Sequence, residues 1–399
     1  MPNRLALSPK SKKYQALQLL SAVEGVLRNR TASNSFANIR NFLFLQMDVP
    51  LGSVIHASPL FEALKRALPD AHISIAASEM TASVLENNPW IKHCTVVPDP
   101  SKNFFAAVGA VRRLYQKLPA GPVCIVTTTG NQRPVQAVVA MMAGNASRFG
   151  YTLALPLYDL ALDFQADRPQ IENNLEILRA LGHEPLETEP RIFFRAADAE
   201  HAHRLLAAAP QKPRLAIVTQ CSKFQPKSWS KEKFREVITK LERAADITPI
   251  FLGTQDEAAS IDDLRGTLEA PGISLAGKTT VPQLAAVLAQ CDWILGLDTG
   301  TFHVARAVGL PGVVLAPAWQ NPAEWLPVNH PQYTILCGPR MPMPRAEYQM
   351  DERTVEQVME ATLIMMEKFP AYLPTRAARL EASMTKKDRS ATDAADCKA

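Results

Sequence analysis

No apolar run in the 399 residues is long enough to cross a bilayer. The first residues also lack the uninterrupted apolar stretch of a secretory signal. Cysteine is sparse: the six, at 94, 124, 221, 291, 337 and 397, form no close pair and no zinc spacing. Cys94, Cys124 and Cys221 sit in or beside apolar runs, so they read as reduced, packed small hydrophobes in a cytoplasmic protein. Charge of either sign is in short supply too. A net charge of +4 and the lack of any base-reading motif argue against a nucleic-acid partner. No Gly-x-x-x-x-Gly-Lys loop occurs, and no Gly-x-Gly-x-x-Gly follows a strand, which weakens ATP-hydrolysing and nicotinamide readings. There is no Asp-x-Asp clamp beside a strand, since Asp262-Asp263 falls within a helix. The expectation is therefore no metal and no cofactor. Glycines (17) are outnumbered by prolines (31), so rigid loops and element ends are expected rather than flexible linkers.

What is present is a globular composition, 47% hydrophobic and 21% charged, at a length that favours two domains. The most informative stretch runs from Trp293 to Pro317. It reads as a buried strand (Trp293 to Leu297), a polar turn (Asp298 to Gly300), a short helix ending near Gly309 and a second strand (Val313 to Ala316). The turn falls at the carboxyl end of a strand, where open α/β sheets bind ligands. The first-turn N–H groups of Gly300, Thr301 and Phe302 suit a phosphate. Asp298 repels phosphate, but its two acceptor oxygens could hold neighbouring sugar hydroxyls. A diphosphate beside a polyol describes a nucleotide sugar.

Along the chain, residues 1–40 carry seven Lys or Arg against one acid, Glu24. Ala16, Leu17, Leu20, Val23 and Leu27 follow helical spacing, giving an amphipathic helix that either packs on the body or meets an anionic membrane surface. Residues 41–209 alternate strands and helices: strand Asn41 to Gln46, a loop from Leu51 turning into a helix that Pro69 ends, strand His72 to Ala76. Strand Val123 to Thr127 follows, then a polar loop with Asn131, Gln132 and Arg133, and an amphipathic helix Glu172 to Leu181. A proline-bounded connector at Pro210 and Pro213 separates a second alternation over 210–350. A helix begins near Asp351, so 351–373 is helical, and 374–399 turns polar and is expected to be a disordered tail. The pattern is α/β: two Rossmann-like, doubly wound domains facing a cleft.

Several side chains at strand ends could carry chemistry. Lys223 and Lys227 follow the first strand of the second domain and could neutralise a diphosphate leaving group, or simply be solvated. Trp229 reads as a packing anchor. Glu257 either accepts ribose hydroxyls or complements a helix dipole. His303 either faces a bound phosphate or is a satisfied structural histidine.

Together these residues resemble glycosyltransferase family 9, the lipopolysaccharide heptosyltransferases. The resemblance is carried by Phe42-Leu-Phe-Leu, Leu51-Gly-Ser-Val-Ile-His-Ala-Ser-Pro-Leu, Asn174-Leu-Glu-Ile-Leu-Arg-Ala-Leu-Gly and Pro226-Lys-Ser-Trp-Ser. Gly253 to Glu257 and Asp298-Thr-Gly-Thr-Phe-His-Val-Ala extend it, so that it spans about 41 to 366. It implies a GT-B fold, a nucleotide-diphospho-sugar donor (ADP-heptose) in the C-terminal domain and a saccharide or glycolipid acceptor on the N-terminal domain. It further implies inversion at the anomeric carbon without an obligatory metal. In that pattern Lys227 holds phosphate, Glu257 the ribose, and Thr299 and Gly300 the diphosphate through their backbones. Asp298 and His303 meet sugar and phosphate, while the helix after Asp351 crosses back to the first domain. Glycolipid transfer would bring the protein to the cytoplasmic face of the inner membrane as a peripheral partner.

One departure matters. The family loop reads Gly-Asp, the Asp being the base for the acceptor hydroxyl; here the pair is Gly52-Ser53. A serine hydroxyl is no base near neutral pH. Asp48, in the same and slightly longer loop, is the candidate replacement. The alternative is a degenerate protein that binds a nucleotide sugar as a sensor or scaffold without efficient transfer.

Overall fold

The computed structural model describes residues 12–27, 36, 38–129, 133–151, 157–162, 164–165, 167–186, 188–220, 226–345 and 348–385. The chain divides into two compact units, Met1–Pro190 and Arg191–Ala399.

The first unit holds α1 (Lys12–Leu27), β1 (Asn41–Gln46), α2 (Leu51–Ala67), β2 (His72–Ala77), α3 (Glu79–Leu85) and β3 (His93–Val96). It continues with α4 (Phe104–Gln116), β4 (Val123–Thr127), α5 (Pro134–Ala143), β5 (Ser147–Gly150), β6 (Leu160–Ala161) and α6 (Gln170–Ala180). Its six strands lie in the order β3-β2-β1-β4-β5-β6, all neighbours parallel. Phe42, Leu43, Phe44 and Leu45 are all fully buried, as expected of a central parallel strand covered on both faces. The chain fills one side of β1 first and then crosses to the other through α4, so the loops after β1 and β4 diverge at a switch point. Helix α2 starts at Leu51 directly after Pro50, whose φ of −60° and ψ of 150° launch it. Gly52 and Ser53 therefore stand in a first helical turn rather than in an open loop.

The second unit begins with α7 (Ala196–Leu206) and β7 (Arg214–Val218). Then come α8 (Lys231–Ala245), β8 (Thr248–Phe251), a 3-10 turn (Gln255–Glu257), α9 (Ala258–Arg265), β9 (Ile273–Ser274) and α10 (Val281–Ala289). β10 (Trp293–Leu297), α11 (Gly300–Ala307), β11 (Gly312–Ala316), α12 (Pro322–Trp325), β12 (Tyr333–Cys337), α13 (Val355–Lys368) and α14 (Leu373–Ser383) complete it. The strand order β12-β11-β10-β7-β8-β9 repeats the first sheet's winding, again all parallel, with its switch point between β7 and β10. Gly296 makes that junction tight: a Cβ there would lie 2.6 Å from the Val218 Cβ.

Two boundaries differ from the sequence reading. The division falls at Pro190, not at 209, because α7 packs on α10 and Gln290 Nε2 donates to the Ala199 carbonyl at 3.4 Å. Helix α13 buries Val355, Val358, Met365 and Met366 in the second unit's own core with Phe234, Val237 and Leu241 of α8. It runs over Val355–Lys368, inside the 351–373 expected to be helical. The tail expected from 374 is helical through Ser383. Arg376 forks onto Asp292, Arg379 bonds the Cys291 carbonyl, and Phe194 bridges Met384. Residues 386–399 lie outside the described residues. Helix α1 belongs to the first unit, with Leu17 buried against Ala137, Met141, Leu157 and Tyr158.

Candidate active site

In the second unit the chain after β7 is pinned on either side of Lys227. Trp319 Nε1 donates to the Pro226 carbonyl at 2.9 Å. On the other side Met350 N–H donates to the Ser228 carbonyl at 2.8 Å. Trp229 is buried edge-on against Phe234, with Nε1 bonded to the Arg353 carbonyl at 3.0 Å. The tryptophan is the packing anchor that the sequence suggested, and it leaves Lys227 little freedom.

Across the switch point the turn after β10 presents Asp298, 4% exposed. Lys227 Nζ donates to Asp298 Oδ2 at 3.4 Å, and His303 Nε2 lies 3.5 Å from Oδ1. Sequence reasoning gave Asp298 two oxygens for sugar hydroxyls; in the structure each of them also lies beside a protein group. Burial pushes the His303 pKa down to about 4, against the pull of Asp298 and with help from Lys227 and Arg306. The ring is neutral near pH 7, so it can join a hydrogen bond to the carboxylate but adds no charge.

Helix α11 opens at Thr299, which makes no side-chain cap, and its first turn holds no acid. Geometry leaves the N–H groups of Gly300 and Thr301 without intrahelical acceptors. Thr299 Oγ1 is buried and unpartnered, and so is Thr219 Oγ1 at the tip of β7. Buried hydroxyls without partners at one crevice point to a ligand that supplies them. Thr219 escaped the sequence reading because a β-branched residue ending an apolar run reads as more strand; its only signal is its place at the carboxyl tip. Glu257 closes a capping box, its Oε2 accepting from Thr254 N–H at 2.7 Å. A Cβ on Gly253 would come within 2.9 Å of that oxygen. The helix-start role of Glu257 is thus present, and the residue stays half-exposed. Lys223 lies outside the described residues.

The first unit's switch point is built differently. Gln46 Nε2 donates to Thr128 Oγ1 at 2.8 Å, tying the tips of β1 and β4, while Gln46 Oε1 is buried without a partner. Asn174 of α6 accepts from Thr129 N–H at 3.1 Å and donates to the His56 carbonyl at 3.2 Å, clamping the chain after β4 to α2. Asp48 has a left-handed φ of 54°. Arg133, the residue before α5, pairs with the Asp48 carboxylate and also donates to its carbonyl at 3.2 Å. Ser53 is buried and Gly52 half-buried in the first turn of α2. Asn131 and Gln132 lie outside the described residues. Among the described residues no three His, Cys, Asp or Glu side chains gather as a metal site. Cys94, Cys124 and Cys291 are free and desolvated, with Cys94 and Cys291 pushed up to about 12, which makes them unreactive.

Two parallel, doubly wound sheets of identical winding are the architecture of the GT-B fold. The model of glycosyltransferase family 9 (heptosyltransferase) matches residues 133–355, and the chain belongs to that family. It is 23% identical over 308 residues to lipopolysaccharide heptosyltransferase 3 of Escherichia coli strain K12, covering 73% of this chain and 87% of that one. The crystal structure of a family 9 glycosyl transferase from Veillonella parvula superposes with a TM-score of 0.74 at 19% identity, over 84% of this chain and all of that one. The E. coli ADP-heptose heptosyltransferase II structure gives 0.67 at 16% identity, over 83% of this chain and all of that one. At these identities the structural likeness speaks for the fold.

Proposed function

We propose that this glycosyltransferase moves heptose from ADP-heptose to a saccharide or glycolipid acceptor of the lipopolysaccharide core, inverting the anomeric carbon. The observation that carries the reading is the largely covered Lys227 side chain, held by Asp298 beside the uncapped first turn of α11 and two unpartnered threonine hydroxyls. Lys227 and the N–H groups of Gly300 and Thr301 bind the diphosphate and take up its charge as it leaves. Glu257 offers its carboxylate to the ribose. Asp298 acts through Lys227 and His303, holding the first in line and accepting from the second, which burial keeps neutral. The names of the E. coli relatives support the heptose and the lipopolysaccharide acceptor.

In the proposed step the acceptor oxygen bonds the anomeric carbon from the face opposite the diphosphate. The bond from that carbon to the phosphate oxygen breaks, its electron pair leaving on ADP, and the acceptor proton passes to Asp48. Asp48→Asn is expected to lower turnover about 10²–10⁴-fold while the thermal shift induced by ADP stays as in wild type. Turnover of the variant near wild type would remove Asp48 from the mechanism. The second reading, a donor-binding protein without efficient transfer, is favoured by Ser53 in place of the family carboxylate. A wild-type chain that binds ADP-heptose and yields no product on lipopolysaccharide-core acceptors would support it instead. A glycolipid acceptor also calls for contact with the cytoplasmic face of a membrane, and among the described residues no helix is long and apolar enough to cross one.

A further inference from the structure

Helix α1 carries apolar side chains on two faces, and the fold covers one of them. Leu17 is buried against α5 and residues 157–158. Two turns later Glu24, also buried, meets Arg148 with both oxygens, each at 2.9 Å from a guanidinium nitrogen. Residues seven apart share one face of a helix, so Leu17 and Glu24 fix which side points inward. The adjoining arc carries Leu19, Leu20 and Val23, which are 68%, 37% and 47% exposed. Rotating α1 to hide that arc would break the two-point Glu24 contact and leave the buried Arg148 with the longer Asp159 contact, at 4.0 Å, so the exposed face is held outward.

Charge decides what covers it. Residues 1–40 contain seven Lys or Arg and a single acid, and that acid, Glu24, is spent internally on Arg148. A second copy of the chain would bring like charge against like. An anionic lipid surface offers an apolar layer for Leu19, Leu20 and Val23, and its charge is opposite to that of a segment with this excess of Lys and Arg. We propose that this outer face of α1 docks on an anionic phospholipid bilayer, with the Glu24–Arg148 pair as the peg that orients it. The inference deepens the membrane contact proposed above and does not depend on the donor site.

The test is sedimentation of the full chain with phosphatidylglycerol or phosphatidylcholine vesicles, comparing wild type with the triple variant Leu19→Ser, Leu20→Ser, Val23→Ser. Wild type is expected to favour the anionic vesicles, less so as salt rises, and the triple variant to lose at least about tenfold in partitioning. Leu19→Ser alone, at the most exposed position, gives a smaller loss of the same sign and guards against misfolding of the triple variant. The ADP-induced thermal shift is read in parallel and should not change, so a failed donor site and a failed docking face are told apart. Equal sedimentation of wild type and both variants, no preference for the anionic lipid, or a wild-type dimer that the substitutions dissolve would overturn the proposal.

Discussion

The two sheets wind identically, yet their switch points carry opposite polarity. In the second unit the loop after the first strand supplies the cation, Lys227, and the loop after the fourth supplies the carboxylate, Asp298. In the first unit the first-strand loop supplies the carboxylate, Asp48, and the chain after the fourth strand the cation, Arg133. Burial differs as sharply. The side chains of Lys227 and Asp298 are 11% and 6% exposed, those of Arg133 and Asp48 37% and 52%. A largely covered lysine on a pinned loop makes a fixed anion receptor, because its field is less screened than that of an exposed one. An exposed aspartate in a solvent-screened ion pair can exchange its partner, which suits a group that must accept a proton. Topology provides the two crevices; burial assigns them different work.

The contrast breaks most visibly at Lys227. Lys227→Met leaves Asp298 buried without its cation, and losing one partner of a buried pair costs about 3–5 kcal/mol of stability. Transfer is expected to fall about 10²–10³-fold with the loss of that stabilisation. Chemical denaturation and steady-state kinetics on the same preparation check both. A variant as stable as wild type would mean that the second crevice is as solvent-screened as the first.

Much of this arrangement is legible in the sequence, and the failures have physical reasons. The strand, turn and helix from Trp293 to Gly309 are readable because a short apolar run, a polar turn and a glycine–proline stop agree with one another; Gly309 indeed takes a φ of 72°. Helix α14 escaped because nothing apolar announces it. It is held by Arg376 on Asp292 and Arg379 on a backbone carbonyl, bonds that a polar, alanine-rich composition conceals. The allegiance of α7 escaped as well, since Ala202 and Leu206 are too small a buried face to name a partner. Asp298 shows the limit most plainly. Its type and position in a strand-end turn are visible, whereas whether its oxygens face a ligand or Lys227 depends on a residue 71 positions away.

His303 sharpens the comparison through pH. Asp298, Lys227 and Arg306 are the charged groups that act on it; burial, aided by the two cations, outweighs Asp298 to hold its pKa at about 4, against 6.5 when unperturbed. Between those values the unfolded chain binds more protons than the folded one, so stability rises with pH across the window and is fully present above it. The difference amounts to about 3 kcal/mol between pH 3.5 and pH 7. Subtracting the denaturation free energies of His303→Gln from those of wild type across pH 3.5 to 7 isolates that slope from the carboxylates. A flat difference would mean that the ring is solvated, and with it the crevice.

The smallest effect is expected at Arg133, and it tests the other half of the contrast. An exposed ion pair contributes about 0.2–1 kcal/mol, so Arg133→Gln should barely move the denaturation midpoint, and half-molar salt should erase what difference there is. Function is another matter, because one guanidinium nitrogen of Arg133 holds Asp48 at two points, carboxylate and carbonyl, in a left-handed conformation that a non-glycine residue rarely keeps unaided. Releasing it should lower turnover several-fold and leave the thermal shift by ADP alone. Arg133→Lys should restore part of the turnover, since one guanidinium nitrogen makes both contacts and an ammonium carries donors enough for the same two acceptors. If Arg133→Gln destabilised the chain as much as Lys227→Met, the two crevices would be energetically equivalent and their division of labour would have to rest on something other than burial.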